Sequence, residues 1–136
     1  FFKKLDILDR VLFSLYDESD MVKLAAIDLL TRHKYIRAKD KIINNLASDN
    51  DHVKLFVLDY VATCNLVEYK EKVFNLLNDK SPVVIQNAIV TLIILEAFEY
   101  KAEILERFKE NHNPLIKMAI DWLIGEKKIE RDITKY

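Results

Sequence analysis

Residues 77–92 read LNDKSPVVIQNAIVTL, and the order of polar and apolar residues in this stretch decides the fold. A polar turn ends at proline, and an apolar stripe follows at Val84, Ala88 and Leu92. Side chains four residues apart lie on one face of an α-helix. Proline is tolerated in the first turn of a helix, because the amide hydrogen that it lacks has no partner there. The stretch therefore predicts a polar turn and then an amphipathic helix that begins at Pro82.

The same pattern recurs every 31 residues, which predicts four helical hairpins, each made of a helix A and a helix B. Four apolar positions of helix B keep this period: Val22, Val53, Val84 and Leu115; Ala26, Val57, Ala88 and Ala119; Ile27, Leu58, Ile89 and Ile120; and Leu30, Val61, Leu92 and Leu123. Four positions of helix A do the same: Leu5, Ile36, Val67 and Phe98; Val11, Ile42, Val73 and Ile104; Leu12, Ile43, Phe74 and Leu105; and Leu15, Leu46, Leu77 and Phe108. The predicted units span 5–35, 36–66, 67–97 and 98–128 of a single domain, 1–136, and residues 129–136 form a polar cap or the start of another repeat.

A short polar turn separates helix A from helix B in every unit. A side chain at the end of such a turn can accept hydrogen bonds from the free amides of the following helix, which makes it an N-cap. The predicted N-caps are Asp20, Asp51, Ser81 and Asn113. Both prolines of the chain, Pro82 and Pro114, directly follow a predicted cap, so they begin helices and interrupt none.

The units resemble HEAT repeats. The residues that carry the resemblance are the turn and stripe of residues 77–92, together with Val22, Lys23, Ala26 and Leu30. They are similar to the short repeats of bacterial HEAT and bilin-lyase-like proteins. The resemblance implies an all-α fold, a right-handed α-solenoid of about four HEAT-like hairpins, with the B helices lining the concave surface. The glycine that usually follows helix B in this family is present only as Gly125.

The side of helix B that points away from the stacking stripe is the candidate functional surface. It is centred on positions 28, 59, 90 and 121, and it carries more apolar side chains than a plain solvated surface. The predicted partner-binding residues are Leu24, Asp28, Leu55, Phe56, Asp59, Val90, Ile94, Met118 and Asp121. The apolar side chains would form one strip, and the aspartates would select a partner that carries Lys or Arg. Two alternatives stay open: other parts of the same chain cover this strip, or the strip has no special role.

A second row, Lys39, Lys70 and Lys101, repeats with the same period on helix A. One interpretation is a basic row that binds phosphates. The other is structural, with buried lysine stems and ammonium groups beside the last carbonyls of the preceding helix B. We favour the structural interpretation, because acidic residues such as Asp40 and Glu99 lie next to the lysines in sequence.

Composition excludes several classes of function. The net charge of −1 provides no field that attracts polyanions or anionic lipids. The single glycine leaves no phosphate-binding loop or dinucleotide-binding turn, and the single cysteine forms no disulfide within the chain. No apolar run reaches the ~18 residues of a membrane span. We expect no cofactor, no nucleic-acid, membrane or small-molecule partner, and a cytoplasmic location.

No constellation of side chains predicts catalysis or metal binding. The three histidines, His33, His52 and His112, lie in different units, and none has a second ligand at helical spacing. Cys64 is predicted to be a half-buried structural thiol. Tyr60 and Trp122 occupy equivalent repeat positions and are predicted to pack between helices, with a role as edge anchors for a ligand as the alternative.

The sequence favours a protein-interaction scaffold that binds an apolar, basic-flanked helix or peptide along the concave face and is not an enzyme. One alternative is a nucleic-acid-binding or DNA-repair array of the HEAT type, which needs a basic groove with aromatic side chains. Another is an accessory lyase or chaperone of the bilin-lyase type, for which the repeat alone provides the resemblance.

Overall fold

Helices make up every regular element in the part of the chain that the structure describes. The computed structural model describes residues 2–125, with the side chains of residues 7–125. The predicted all-α class is confirmed for these residues. The side chain of Leu5 and the predicted final segment, 129–136, lie outside the described residues. Two compact units are present, one ending at Cys64 and the other beginning at Asn65.

The first unit contains four α-helices, which are α1 (Phe2–Val11), α2 (Asp20–Arg32), α3 (Lys39–Ile43) and α4 (Asp51–Thr63). Short 3-10 helices accompany them at Leu12–Tyr16, Ile36–Ala38 and Asn44–Ala47. α1 and its 3-10 extension pack on α2, the 3-10 extension of α3 packs on α4, and α2 packs on α4. The unit therefore has the predicted content of two hairpins with adjacent B helices.

The second unit repeats this arrangement with α5 (Lys70–Asn75), α6 (Pro82–Ile94), α7 (Lys101–Phe108) and α8 (Pro114–Ile124). Its 3-10 helices are Val67–Tyr69, Leu76–Asn78 and Phe98–Tyr100. α5 packs on α6, α7 packs on α8, and α6 packs on α8. The B helices of the chain are thus α2, α4, α6 and α8.

A side-chain cap begins each B helix. The N-caps are Ser19, Asn50, Ser81 and Asn113. A polar side chain two residues earlier accepts the N–H of the cap residue at 2.8 to 3.0 Å. These supporting residues are Asp17, Ser48, Asp79 and Asn111. The junction between helix A and helix B is therefore one hydrogen-bonded motif that occurs four times.

The predicted caps are correct at Ser81 and Asn113 and wrong at Asp20 and Asp51. Asp51 is the first helical residue of α4, because Asn50 already accepts the N–H groups of the first turn, at 2.8 and 3.2 Å. An acid at this first helical position still interacts favourably with the positive end of the helix dipole. Asp20 is placed in the same way in α2, and its carboxylate also accepts a hydrogen bond from the Asn50 side chain at 3.0 Å.

Three B helices are followed by a residue in the left-handed conformation, and none of these residues is glycine. They are Lys34, Asn65 and Glu96, with φ of 48°, 51° and 56°. At the end of α2, Lys34 N–H donates to the Thr31 carbonyl and Tyr35 N–H donates to the Leu30 carbonyl, both at 3.0 Å. This pair of bonds is the Schellman arrangement, and it also closes α6 at Glu96. Gly125, in contrast, has φ of −95°, so the one glycine is not used for this turn.

The left-handed residues explain why the first position of the helix A stripe was predicted wrongly. Ile36 and Val67 are 53% and 46% exposed. The residues just before the predicted stripe positions are buried instead: Tyr35, Leu66 and Ala97. A left-handed residue reverses the chain and brings the next side chain against the end of the preceding helix. Helix A then begins with a 3-10 turn, and the exposed side chains lie on its outer side.

The A helices after residue 35 are also shorter than the periodicity predicted. α3 and α5 contain five and six residues and continue as 3-10 turns. Asn44 begins one such turn, and Asn75 directly precedes the other. Asparagine is a weak helix former, because its side chain competes for backbone hydrogen bonds, and 3-10 geometry is frequent at helix ends.

The stripe of the B helices forms the core, as predicted, except at its first position in two units and at Ile120, which is half-buried. The fully buried members include Ile27, Leu30, Val57, Val61, Ala88, Ile89 and Ala119. Val53 and Val84 are fully buried, whereas Val22 is 37% exposed and Leu115 is 36% exposed. α8 begins one residue later in the repeat than α6, and Ile116 takes the buried place near its start.

The longest B helices contain 13 residues, well below the ~20 that cross a bilayer. Within the described residues, no helix has the length and apolar character of a membrane span.

Asn50→Ala should lower the free energy of unfolding by about 1 to 2 kcal/mol, because two amides of α4 lose their acceptor. Asp51→Ala should cost only a few tenths of a kcal/mol, since it removes a dipole contact and a weak pair with Lys54 at 3.8 Å. Urea unfolding of both variants measures the difference. An equal loss for the two variants would contradict the assignment of Asn50 as the cap.

Lys34→Gly and Glu96→Gly should each stabilise the fold by about 0.5 to 1 kcal/mol, because glycine adopts a positive φ without the cost that other residues carry. Asn65→Gly should gain less, because asparagine tolerates this conformation. Ala102→Gly within α7 is the matched control and should destabilise by about 1 kcal/mol. The left-handed turns are misassigned if Glu96→Gly destabilises as much as Ala102→Gly does.

Candidate binding face of the B helices

All nine predicted partner-binding residues lie on B helices, and none of them is buried. Five belong to the first unit: Leu24, Asp28, Leu55, Phe56 and Asp59. Four belong to the second: Val90, Ile94, Met118 and Asp121. We use the name B-face for these residues of each unit.

The B-face of the first unit combines a half-buried apolar patch with two exposed carboxylates. Leu24 and Leu55 are half-buried, and Phe56 is 36% exposed. Asp28 follows Leu24 by one helical turn, and Asp59 follows Phe56 by three residues. Residues three or four apart on a helix are surface neighbours. An apolar contact and an acidic contact are therefore available side by side on both α2 and α4.

The B-face of the second unit is more apolar. Val90 and Ile94 on α6 are half-buried, and Met118 on α8 is 46% exposed. The side-chain amide of Gln86 donates to the Met118 sulfur at 3.7 Å and links the two helices on this side. Asp121 is exposed on α8.

The two carboxylates of the first unit differ in their charged neighbours. Asp28 pairs with Arg32, one turn later on α2, at 3.1 Å. Asp59 accepts a hydrogen bond from the Thr63 hydroxyl at 3.3 Å, and no Lys or Arg of the described residues lies within 4.0 Å of it. Burial raises the pKa of the Asp59 carboxyl, the Thr63 hydrogen bond opposes this, and the charge of Asp28 raises the pKa further.

Two exposed aromatic side chains lie outside the B-face and were not singled out from the sequence. Phe13 is 78% exposed and Tyr16 is 68% exposed, both in the 3-10 segment after α1. The sequence does indicate that these two residues lie outside the repeated core, because the equivalent positions in later repeats are not aromatic. They are Asn44, Asn75 and Glu106, and Ala47, Asn78 and Lys109.

The structure assigns a different partner to one member of the lysine row. The ammonium group of Lys70 pairs with the carboxylate of Glu99, instead of the last carbonyls of the preceding helix B. Their hydrogen bond raises the pKa of Lys70 and lowers the pKa of Glu99. Nearby, the rings of Phe74 and Tyr100 stack at 4.3 Å, and the Arg107 guanidinium lies 5.2 Å from the centre of the Phe74 ring. This side of the second unit is held together by contacts between helices A.

The remaining chemistry-bearing residues have structural surroundings. Cys64 is half-buried, as predicted, and burial raises the pKa of its thiol, which disfavours the nucleophilic thiolate. Tyr60 is fully buried and donates to the Tyr35 carbonyl at 2.6 Å, so it packs between helices and is not an edge anchor. Trp122 is half-buried. Among residues 2–125, no group of three His, Cys, Asp or Glu side chains could hold a metal ion.

An open polar cleft of about 420 Å³ lies in the first unit, outside the B-face. It adjoins the N-terminal ends of α2 and α4, and its lining residues include Asp20, Lys23, Asn44, Asp49 and Asn50. Asp20 and Asn50 are hydrogen-bonded to each other in its wall. This contact joins the N-terminal ends of the two helices.

Compared with known proteins, the chain matches no family model, and no curated protein matches it in sequence.

Asp59→Asn should raise the melting temperature at about pH 7. A raised folded-state pKa means that the unfolded chain releases the Asp59 proton more readily, so this group lowers stability as the pH rises above its ordinary value of 3.8. The gain should shrink near pH 3, where both states hold the proton. Thermal unfolding at the two pH values measures it, with Asp121→Asn as the control for one exposed B-helix carboxylate. No gain at neutral pH would show that Asp59 is not desolvated.

Proposed function

We propose that the chain is an interaction scaffold, a right-handed α-solenoid of about four HEAT-like hairpins, whose B helices bind a helix or peptide of another protein. The observation that carries the proposal is Phe56, 36% exposed, beside Asp59 on the B-face. It is an apolar anchor next to a carboxylate with which no Lys or Arg of the described residues pairs. Neither side chain belongs to the buried stripe of α4, which is formed by Val53, Val57, Leu58 and Val61. Side chains of this kind are typical of interface centres.

The repeated junctions support the solenoid part of the proposal. The same cap motif begins every B helix. A residue in the left-handed conformation follows three of them, at steps of 31 residues. Repeats with identical turns place successive hairpins in equivalent orientations, which is the basis of a solenoid. The HEAT family itself stays a prediction, carried by the residues of 77–92 and their equivalents.

Charge supports a protein partner over a nucleic acid. The B-faces carry Asp28, Asp59 and Asp121, and Arg32, the basic neighbour on α2, is already paired with Asp28. A nucleic-acid groove requires a basic lining, so polyanions would be repelled here. The same acids favour a partner segment with Lys or Arg beside its apolar residues. Binding without catalysis is the function we infer, with the cytoplasm as the predicted location.

Phe56→Asp should abolish capture of a partner from native extract, while the far-ultraviolet circular dichroism spectrum stays helical. We expect at least about a tenfold loss, because an unpaired carboxylate in an apolar contact costs more than 1.4 kcal/mol. Quantitative mass spectrometry of the retained proteins measures it. Met118→Asp tests the second unit in the same way.

Phe13→Asp is the matched control, because Phe13 is the more exposed phenylalanine and lies outside the B-face. It should retain the proteins that the unaltered chain captures. Equal capture by all variants, or loss with Phe13→Asp alone, would place binding elsewhere and remove the B-face from the proposal.

A further inference from the structure

Asp59 differs from the other acid of the same B-face because no Lys or Arg of the described residues forms an ion pair with it. Arg32 pairs with Asp28 at 3.1 Å, and among the described residues it is the only Lys or Arg that pairs with an acid of the first unit's B-face. The charged group that acts on Asp59 is the carboxylate of Asp28, which repels it. A positive charge supplied by a partner would therefore be attracted by both carboxylates and would find Asp59 unoccupied.

Asp59 and Phe56 also have the spacing of a helical contact. They are three residues apart on α4, and on a helix such side chains are about 5 to 6 Å apart at Cβ. On a partner helix, an apolar residue and a Lys or Arg three or four positions away have this same Cβ separation. In an extended peptide, neighbours on one side are about 6.6 to 7 Å apart. The spacing on α4 thus fits a helix better.

Backbone hydrogen bonding points to the same conclusion. An extended peptide needs donors and acceptors for its free N–H and C=O groups, whereas a helix satisfies them internally. The apolar part of the first unit's B-face offers only Leu24, Leu55 and Phe56. On the second unit, the side-chain amides of Gln86 and Asn87 each donate one hydrogen bond within the unit, to the Met118 sulfur and the Val83 carbonyl.

We propose that the segment bound by the B-face is a cationic amphipathic α-helix, with an apolar side chain packed on Phe56 and a Lys or Arg paired with Asp59. The inference rests on the proposed function and specifies the partner. Asp59 is the acid that selects this helix. The neighbouring Asp28 already forms an ion pair with Arg32.

The probe is a displayed library of helix-forming peptides. Binders are selected from it on the purified full chain. The tightest binders should carry Lys or Arg three or four residues from a large apolar residue. Their circular dichroism should gain helical signal on binding. Fluorescence anisotropy should show at least tenfold weaker binding to Asp59→Asn. Asp49→Asn, an exposed aspartate in the turn before α4, should change binding less than threefold and controls for net charge.

Charge reversal separates a direct pair from a general field. Asp59→Lys should bind the parent peptide poorly and should regain affinity for the peptide whose Lys is replaced by Glu. If Asp59→Asn binds as the unaltered chain does while Phe56→Asp does not, the scaffold function stands and Asp59 is not the selecting acid. Bound peptides without helical signal would overturn the helical partner. Failure to enrich any peptide, or binding that Phe56→Asp leaves intact, would overturn the proposed function as well.

Discussion

Burial of one stripe of each B helix against the neighbouring B helix is the interaction on which the rest of the structure depends. In the first unit α2 packs on α4, and in the second α6 packs on α8. Alanine at positions 26, 88 and 119 leaves room for close approach, and the flanking Leu30, Val61 and Leu92 are almost completely buried. Each such leucine or valine contributes about 1.5 to 3 kcal/mol. Since this stripe occupies one side of the helix, the opposite side lies outside this contact.

The sequence predicted the B helices well because packing and local chemistry agree there. The stripe, the polar turn and the two prolines all place the helix starts within a residue of those observed. The sequence predicted the wrong N-cap where two neighbouring residues could both act as a cap. Ser19 and Asp20 are both good caps by residue type, and only the backbone geometry decides that Ser19 accepts the amide. The left-handed turns were missed for a related reason, because lysine and glutamate carry no local signal for a positive φ.

The sequence predicted which residues lie on the candidate face, but it did not predict the charged neighbours of the aspartates. Helical periodicity correctly placed Asp59 and Phe56 on the accessible side of α4. It contained no information on which aspartate has a cation nearby, since that depends on how Arg32 folds back along α2. It also could not show that Asp59 is partly desolvated, because the neighbours responsible come from the packed unit.

The most direct test of B-face binding is a methyl-resolved NMR titration with the tightest selected helical peptide. The predicted result is that the largest chemical-shift changes fall on the methyl groups of Leu24 and Leu55, with Val90, Ile94 and Met118 responding if the second unit is also engaged. Ile7, Ile36 and Val67 are exposed apolar residues outside the B-face and should stay unchanged. Changes concentrated on those three residues, with Leu24 and Leu55 unaffected, would contradict the assignment of the B-face as the binding surface.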